Sequence, residues 1–293
     1  MTSPAPPPRL AVIIPHYNDI ARLKTCLATL APQLAAAGDV EAVVVDNASP
    51  ESPAALLAAH PGLGLVIEPA KGAAAARNRG VVETTAPHLA FLDCDCVPAP
   101  DWLDRARALA RPGTVTGGRI DTFDETPPPR SGAQAFEAVF AFRQRMYVER
   151  KGFSVTANLL TPRAVFADVG DLVPGLSEDI DWCRRATAKG HALVYAADLR
   201  VAHPTRSDWP ALVRKWRRTT DEGFQLHGTG ARARVTWALR ALAVLASGPV
   251  EVPRVLRADK LSGPGERLRG ALTLLRLRTT RCVWMLWQAV TGR

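Results

Sequence analysis

The sequence has few cysteines and no long apolar run. Its five cysteines among 293 residues include no C-x-x-C pair and no closely spaced even set, which excludes a disulfide scaffold and a zinc ribbon. No apolar stretch approaches the about 18 residues that cross a bilayer, and residues 1–9 lack the basic-then-apolar order of a signal peptide. We therefore predict a cytoplasmic protein with a flexible lead-in at residues 1–9.

Two common nucleotide-binding motifs are also absent. The chain has neither the G-x-x-x-x-G-K-[ST] loop of P-loop ATPases nor the G-x-G-x-x-G turn of dinucleotide-binding enzymes. Present instead are an average share of apolar residues, 47%, and a net charge of +9. The apolar share is enough for a sizeable core. The charge favours anionic partners: nucleic acid, anionic lipid or phosphorylated small molecules.

Short apolar runs alternate with helical stretches in the first hundred residues. Four runs are typical of buried strands: Leu10–Ile14, Val40–Val45, Leu63–Ile67 and His88–Leu92. The alternation predicts an α/β fold with a mostly parallel central sheet flanked by helices. Ligands bind at the carboxyl ends of the strands in such sheets, and polar residues stand at three of these ends: Tyr17-Asn18, Asp46-Asn47 and Asp93-Cys94-Asp95.

Asp93 and Asp95 form the sharpest local feature. In a turn, two carboxylates one residue apart can reach the same hard cation, Mg²⁺ or Mn²⁺, which would bridge the oxygens of a diphosphate. An acidic pair that merely opens a loop is an equal alternative. Cys94 and Cys96 are interpreted as packing residues rather than ligands of a soft metal.

Arg77 follows a run of small residues, Gly72–Ala76, at the start of a predicted helix. There the backbone can approach a ligand closely and the guanidinium can neutralise phosphate. An alanine-rich core helix with solvated arginines is the alternative. Farther along, the pattern predicts one amphipathic helix over Ala133–Arg150.

Glu178 and Asp179 open a predicted helix over Ser177–Lys189. They are either ordinary acids of a first turn or, if the helix faces the cleft, acceptors of a proton from an incoming hydroxyl. The helix N-terminus is expected to lower the pKa of a carboxylate there. His203 is either a structural histidine or a nitrogen ligand beside the two aspartates.

Seven segments, in this order, resemble the family-2 glycosyltransferases, which have the GT-A fold. The resemblance runs from Val12 to His203, about two thirds of the chain. The segments are VIIPHYND (Val12–Asp19), VVVDNAS (Val43–Ser49), GAAAARNRG (Gly72–Gly80), FLDCDC (Phe91–Cys96), TANLL (Thr156–Leu160), SEDIDWCRRA (Ser177–Ala186) and VAHP (Val201–Pro204).

This resemblance implies a donor site. Arg77 would contact the nucleotide, commonly uracil in a UDP-sugar. Asp93 and Asp95 match the D-x-D of the family, with Asp95 the more direct metal ligand and Asp93 near the ribose, and His203 completes metal and diphosphate binding. The base and ribose would be held by four residues: Pro15, Tyr17, Asn18 and Asp46.

The same resemblance implies the reaction. Asp179 matches the catalytic base and Glu178 supports the acceptor, so a sugar would pass to a hydroxyl of a saccharide or lipid-linked saccharide by single displacement with inversion. The Q-x-x-R-W element of processive synthases is missing, which favours single additions. A nucleotidyltransferase would need basic residues near the N-terminus, and none lie between Leu10 and Ala21. A non-catalytic binder of nucleotide-sugars or membrane surfaces is the other alternative.

The C-terminal part is basic and helical. We predict a catalytic domain over residues 10–225 and a basic amphipathic extension over residues 226–293. Apolar and basic residues mix there at helical spacing, for example in Arg276–Trp287. Such a helix either lies in an anionic lipid interface, peripheral on the inner face of the cell membrane, or packs on the catalytic domain. Nucleic-acid binding is not expected, because no nucleic-acid-binding fold accompanies the charge.

Overall fold

The computed structural model describes residues 7–293. Of the lead-in predicted for residues 1–9, residues 1–6 therefore lie outside the described residues. The chain divides into two compact units. One comprises the described residues up to Asp121 together with Arg143–His203, and the other comprises Thr122–Phe142 and Pro204–Arg293. The functional boundary between residues 225 and 226 stays a prediction.

Eight strands form one mixed sheet, in the order β3-β2-β1-β4-β7-β6-β8-β5. Strands β1 to β4 pair in parallel, whereas β7 is antiparallel to β4 and β6, and β5 to β8. The strands are β1 (Leu10–His16), β2 (Val40–Asp46), β3 (Leu63–Ile67), β4 (His88–Leu92), β5 (Val97–Pro98), β6 (Thr114–Phe123), β7 (Asn158–Pro162) and β8 (Ala192–Pro204). The predicted α/β class is confirmed, and its parallel part is the part that the alternating pattern predicts.

The helices flank this sheet and make up the C-terminal region. They are α1 (Ile20–Ala36), α2 (Ala54–Leu57), α3 (Ala73–Val82), α4 (Trp102–Leu109), α5 (Gly132–Phe140), α6 (Gln144–Lys151), α7 (Arg163–Val169), α8 (Glu178–Ala188), α9 (Trp209–His227), α10 (Ala231–Leu256) and α11 (Gly263–Thr291).

The prediction of a single helix over Ala133–Arg150 is wrong. The structure has two helices there, α5 and α6, and the chain between them passes through Phe142 in the left-handed region, with φ of 49°. Apolar residues recur at helical spacing on both sides of this break. Because periodicity records which residues are apolar, it cannot reveal one residue whose backbone leaves the helix.

Helix α3 packs directly on the centre of the sheet. A Cβ atom at Gly80 would lie 2.4 Å from Cγ2 of Ile13, a residue of the fully buried strand β1. The start of the helix is fixed as well. Gly72 has a φ of 121°, which favours glycine, and its backbone N–H donates to the Asn47 side chain over 2.7 Å. These contacts set the position of Arg77, one turn into the helix.

The structure corrects the expectation that no stretch is long and apolar enough to cross a membrane. Within residues 7–293, one helix, α10, passes that test by length and composition, and 17% of its most apolar 18-residue stretch is buried. Arg240 interrupts the row of consecutive apolar residues. The mean hydropathy of an 18-residue stretch of the helix is nevertheless high enough to pass the test. Length and composition alone assign no location to this helix.

Candidate active site

A cleft of about 250 Å³ lies where β1 and β4 end. Of the residues predicted to hold the nucleotide, the cleft is lined by Pro15, Tyr17, Arg77 and Asp93. Asn18 and Asp46 are not among its lining residues. The others that line it are His16, Asp19, Asn47, Ala73, Ala76, Cys94 and Asp95. The strand ends therefore bring Pro15, Tyr17, Asp93 and Asp95 to one cleft, as expected for a parallel sheet. The other candidates, Glu178, Asp179 and His203, are not among its lining residues.

Asp46 is buried and holds neighbouring side chains. Its Oδ1 accepts hydrogen bonds from Nδ1 of His16, over 2.8 Å, and from the Ser49 hydroxyl, and its Oδ2 accepts from the Ser49 backbone N–H over 3.1 Å. Burial opposes the charge, but these hydrogen bonds hold the pKa of Asp46 below its ordinary value. Asp46 thus orients His16, a cleft residue that the sequence analysis missed although it lies inside the VIIPHYND segment.

Arg77 joins two parts of the site. The residue is 4% exposed, and its guanidinium contacts Asp93 at 2.5 Å and Glu178 at 3.2 Å. Burial opposes its charge, but Asp93, Asp179 and Glu178 raise the pKa of Arg77 above its ordinary value. One buried cation therefore links the carboxylate at the end of β4 to the acids that open α8.

Asp95 and His203 form a second pair. Nε2 of the buried His203 lies 3.2 Å from Oδ2 of Asp95, whereas Asp93 lies against Arg77. Across residues 7–293, no three His, Cys, Asp or Glu side chains are grouped so as to hold a metal ion. One carboxylate and one imidazole nevertheless fit Mg²⁺ or Mn²⁺, because such ions in phosphate-handling sites take few protein ligands and fill the remaining positions with phosphate oxygens and water.

Asp179 lies at the start of α8 and contacts the turn before β7. Its Oδ1 accepts from the Thr156 hydroxyl over 2.7 Å and from the Thr156 backbone N–H over 3.0 Å. Burial and the neighbouring charge of Glu178 raise the pKa of Asp179 to about 6. The expectation of a lowered pKa is wrong, because burial and the charge of Glu178 outweigh Arg77 and the two hydrogen bonds from Thr156.

Of the two cysteines that flank Asp95, Cys96 is buried, whereas Cys94 is partly exposed and lines the cleft. Burial and the nearby aspartates raise the pKa of the Cys94 and Cys96 thiols well above the ordinary value. Both thiols therefore stay protonated at neutral pH, which disfavours metal binding through sulfur. The buried Cys96 agrees with its interpretation as a packing residue, whereas the position of Cys94 in the cleft lining differs from it.

Comparison with known proteins places this site in a family context. Residues 11–169 match the model of the family described as Glycosyl transferase family 2. The glycosyltransferase AglE of Haloferax volcanii is 30% identical over 222 residues, which is 72% of this chain and 71% of that protein. The pre-mycofactocin glycosyltransferase of Mycobacterium tuberculosis is 28% identical over 216 residues, 69% of this chain and 44% of that protein.

Solved structures share the fold at low identity. The mannosyltransferase PcManGT from Pyrobaculum calidifontis, in complex with GDP-Man and Mn²⁺, superposes with a TM-score of 0.56 at 18% identity, over 99% of this chain and 77% of that one. GalNAc-T7 with UDP, GalNAc and Mn²⁺ gives a TM-score of 0.51 at 18% identity, over 68% of this chain and 44% of that one. These likenesses confirm the expected GT-A fold.

Proposed function

Since this chain belongs to glycosyl transferase family 2 and is a glycosyltransferase, we propose that it transfers a sugar from a nucleotide-sugar, UDP-linked, to a hydroxyl of a saccharide or lipid-linked saccharide. The reaction is a single displacement with inversion. The observation that carries the proposal is the Arg77 bridge, because one buried guanidinium joins Asp93 in the cleft to Glu178 at the start of α8.

Asp179 is the base of this reaction. It takes the proton of the acceptor hydroxyl as the hydroxyl oxygen attacks the anomeric carbon, and the bond from that carbon to the diphosphate breaks. A carboxylate with a pKa of about 6 is ionised at neutral pH, yet it is a stronger base than an ordinary aspartate. Glu178, held by Arg77, supports the acceptor from the neighbouring position.

The departing nucleoside diphosphate must be stabilised as negative charge develops on it. We assign Mg²⁺ or Mn²⁺ to Asp95 and His203, with Asp93 close by; the bound cation would supply positive charge to the diphosphate. Two of the solved structures that share this fold contain Mn²⁺, which supports a divalent cation here. The base and ribose are assigned to Pro15, Tyr17, Asn18 and Asp46, and Arg77 contributes to nucleotide contact.

The nucleotide is the least constrained part of the proposal. Uridine follows from the resemblance of the sequence segments, but the two solved structures carry GDP-Man in one case and UDP in the other. The experiment therefore compares release of UDP and GDP from a panel of sugar nucleotides, with Mn²⁺ and with EDTA, in the presence of a lipid extract as acceptor source.

We expect metal-dependent release of UDP from one donor. Release of GDP alone would refute the uridine assignment and keep the sugar-transfer proposal. Tight binding of a sugar nucleotide without release, under every acceptor condition, would refute transfer and favour a non-catalytic binder.

We also propose a peripheral membrane contact through the C-terminal helices α10 and α11. The two helices lie side by side and antiparallel: Trp237 donates to the Gln288 side chain over 3.1 Å, and Gly248 lies against Leu275. Each helix carries a stripe of exposed apolar side chains at spacings of three and four. These include Val235, Leu239, Leu242, Leu268, Leu272 and Leu275.

The stripes are unusual for a protein surface. Of the eighteen large apolar side chains that are exposed within residues 7–293, thirteen lie on these two helices. Leu274, Leu277 and Met285, which the sequence pattern also suggested for a lipid contact, are buried and serve packing instead. A contiguous exposed apolar surface of this kind marks an interaction site.

We propose anionic lipid as the partner, which the charge of the two helices supports. Five arginines on these helices are exposed. Of their two glutamates, Glu251 is half-buried and Glu266 is buried. An apolar face with arginines around it fits a lipid interface, where apolar side chains enter the acyl boundary and guanidinium groups meet phosphate. The cytoplasmic leaflet is the anionic one, so we place the chain at the inner face of the cell membrane, where a lipid-linked acceptor would lie.

A further inference from the structure

Thr156 makes an unusual double contact with Asp179. The residue is 2% exposed and lies in the turn that leads into β7. Its hydroxyl and its backbone N–H both donate to the same oxygen, Oδ1 of Asp179, over 2.7 and 3.0 Å. In the described part of the chain, these are the hydrogen bonds that the Asp179 carboxylate receives. Oδ2 is left as the oxygen that can accept a proton.

The same turn is fixed to the other side of the site. Asn158 pairs with Leu92 at the end of β4, and the carbonyl of Ala157 accepts a hydrogen bond from the backbone N–H of Asp93 over 3.4 Å. Adjacent residues of one turn therefore contact Asp93 and Asp179. Because β7 is antiparallel to β4, its first residues lie where β4 ends, and the position of Thr156 follows from the sheet topology.

We infer that Thr156 is a positioning residue that orients Asp179 for proton abstraction: it occupies Oδ1 with two hydrogen bonds, so that Oδ2 alone meets the acceptor hydroxyl. This inference rests on the proposed role of Asp179 as the base. It adds a residue that the sequence analysis quoted within the TANLL segment without giving it a function.

The charges around Asp179 set the direction of the expected effect. Glu178, next to it on α8, disfavours its ionised form, whereas Arg77 on α3 favours it, and the thiol of Cys183 on α8 lies nearby. The two bonds from Thr156 stabilise the ionised carboxylate. Removing the hydroxyl removes one of these bonds, so the pKa of Asp179 should rise further.

Thr156→Val tests the inference because valine keeps the shape and the backbone N–H but lacks the hydroxyl. We expect the acid limb of the pH profile of kcat/KM to move by about 0.5–1 pH unit to higher pH, as for the loss of one hydrogen bond. At pH 6 the rate should fall about tenfold, combining this shift with looser orientation. Thr156→Ser should restore the profile. Thr161→Val, at a buried threonine within β7, is the matched control and should keep the wild-type midpoint.

A second measurement does not depend on turnover. With ¹³C-labelled aspartate carboxyls, NMR follows the titration of Asp179, whose signal is identified by its loss in Asp179→Asn. A higher midpoint in Thr156→Val and recovery in Thr156→Ser support the inference. An unchanged midpoint in Thr156→Val overturns the inference. The proposed function survives that result if Asp179→Asn is inactive in transfer. Full transfer activity in Asp179→Asn instead overturns the proposed function. The inference about Thr156 is then overturned as well, because it rests on Asp179 as the base.

Discussion

The cleft at the strand ends and the helix pair α10–α11 depart from the usual division of polar and apolar residues in opposite ways. Around the cleft, charged groups such as Arg77 and Asp46 are buried, and each has partners of opposite charge or hydrogen-bond donors. On the helix pair, large apolar groups such as Leu239 and Leu272 are exposed to solvent. Buried charge and exposed apolar surface both cost free energy in an isolated chain.

The two regions differ in which groups offset this cost in free energy. The charges of the cleft are compensated within the chain, so the geometry there is set before any ligand arrives, as suits a site for electrostatic catalysis. Within residues 7–293 the apolar side chains of the stripes stay exposed, and under the proposed function a lipid surface would cover them. The first region would then carry the reaction, and the second would hold the protein at a membrane.

The largest expected effect is on catalysis in the cleft and leaves the helix pair unaffected. Asp179→Asn removes the base and should lower kcat by about a hundredfold to ten-thousandfold, the usual contribution of general base catalysis. Vesicle binding should stay unchanged. The assay is release of nucleoside diphosphate in the presence of acceptor, combined with vesicle sedimentation.

Asp181→Asn is the matched control for this change. Asp181 lies on the same helix and pairs with Arg185 at 2.9 Å, whereas Asp179 accepts its hydrogen bonds from Thr156. It should retain most of the wild-type kcat. Equal losses in both variants would indicate damage to α8 and would remove the support for Asp179 as the base.

The next effect addresses the helix pair. Introducing charge into both stripes with Leu239→Glu and Leu272→Glu should weaken binding to vesicles rich in anionic phospholipid by about a hundredfold, because two leucines no longer enter the interface. Transfer to a water-soluble acceptor should be unaffected. Sedimentation over a range of lipid concentrations measures the change.

Val82→Glu with Val194→Glu makes the same chemical change at exposed valines outside the helix pair, and it should leave vesicle binding intact. If the wild type does not bind vesicles but forms a dimer that the double leucine variant breaks, the stripes face a second copy of the chain. The lipid assignment would then be refuted.

A smaller effect tests the bridge inside the cleft. Arg77→Lys keeps the positive charge but cannot span both Asp93 and Glu178 with a planar fork, so kcat/KM should fall about tenfold by misalignment of the acids. Arg79→Lys, on the same helix in a partly exposed pair with Glu83, should change kcat/KM less than twofold. Steady-state kinetics with saturating acceptor distinguishes the two variants, and similar values for both would contradict a linking role for Arg77.

The smallest effect concerns stability. The pKa of Asp179 is raised from 3.8 to about 6 on folding, so the ionised carboxylate destabilises the fold as pH rises above about 4, and fully above about 6. Asparagine carries no such charge. The gain in Tm from Asp179→Asn should therefore be about 3 °C larger at pH 8 than at pH 5, as followed by calorimetry. A gain that does not depend on pH would contradict the raised pKa.

Sequence patterns predict the parallel half of the sheet closely. The ranges predicted for β3 and β4 are those observed, since apolar strands leave local signals, although β3 is only partly buried and not the buried strand that its apolar run predicts. That Tyr17 and Asp93 line the same cleft also follows, because parallel strands bring their carboxyl ends to one edge; the contact of Asp93 with Arg77 on α3 does not follow from that rule. The contact between Thr156 and Asp179 does not, since it depends on the antiparallel return of β7 to β4, for which the sequence carries no local signal.

Two further features depend on quantities that a pattern does not contain. The sign of the pKa shift of Asp179 results from a balance between burial, Glu178 and the groups that favour its charge, and burial is known only once the chain is folded. Likewise, Leu272 and Leu274 are equally apolar in sequence, but only Leu272 is exposed. Which apolar residues of a helix face solvent depends on its neighbours in space.

The most direct test of the central claim, that Asp179 activates the acceptor in one displacement, is the anomeric configuration of the product. The sugar should be transferred from an α-linked UDP donor and the product examined by proton NMR before it can equilibrate. The account predicts a β-linked product. An α-linked product would mean retention of configuration and would contradict a single displacement with Asp179 as its base.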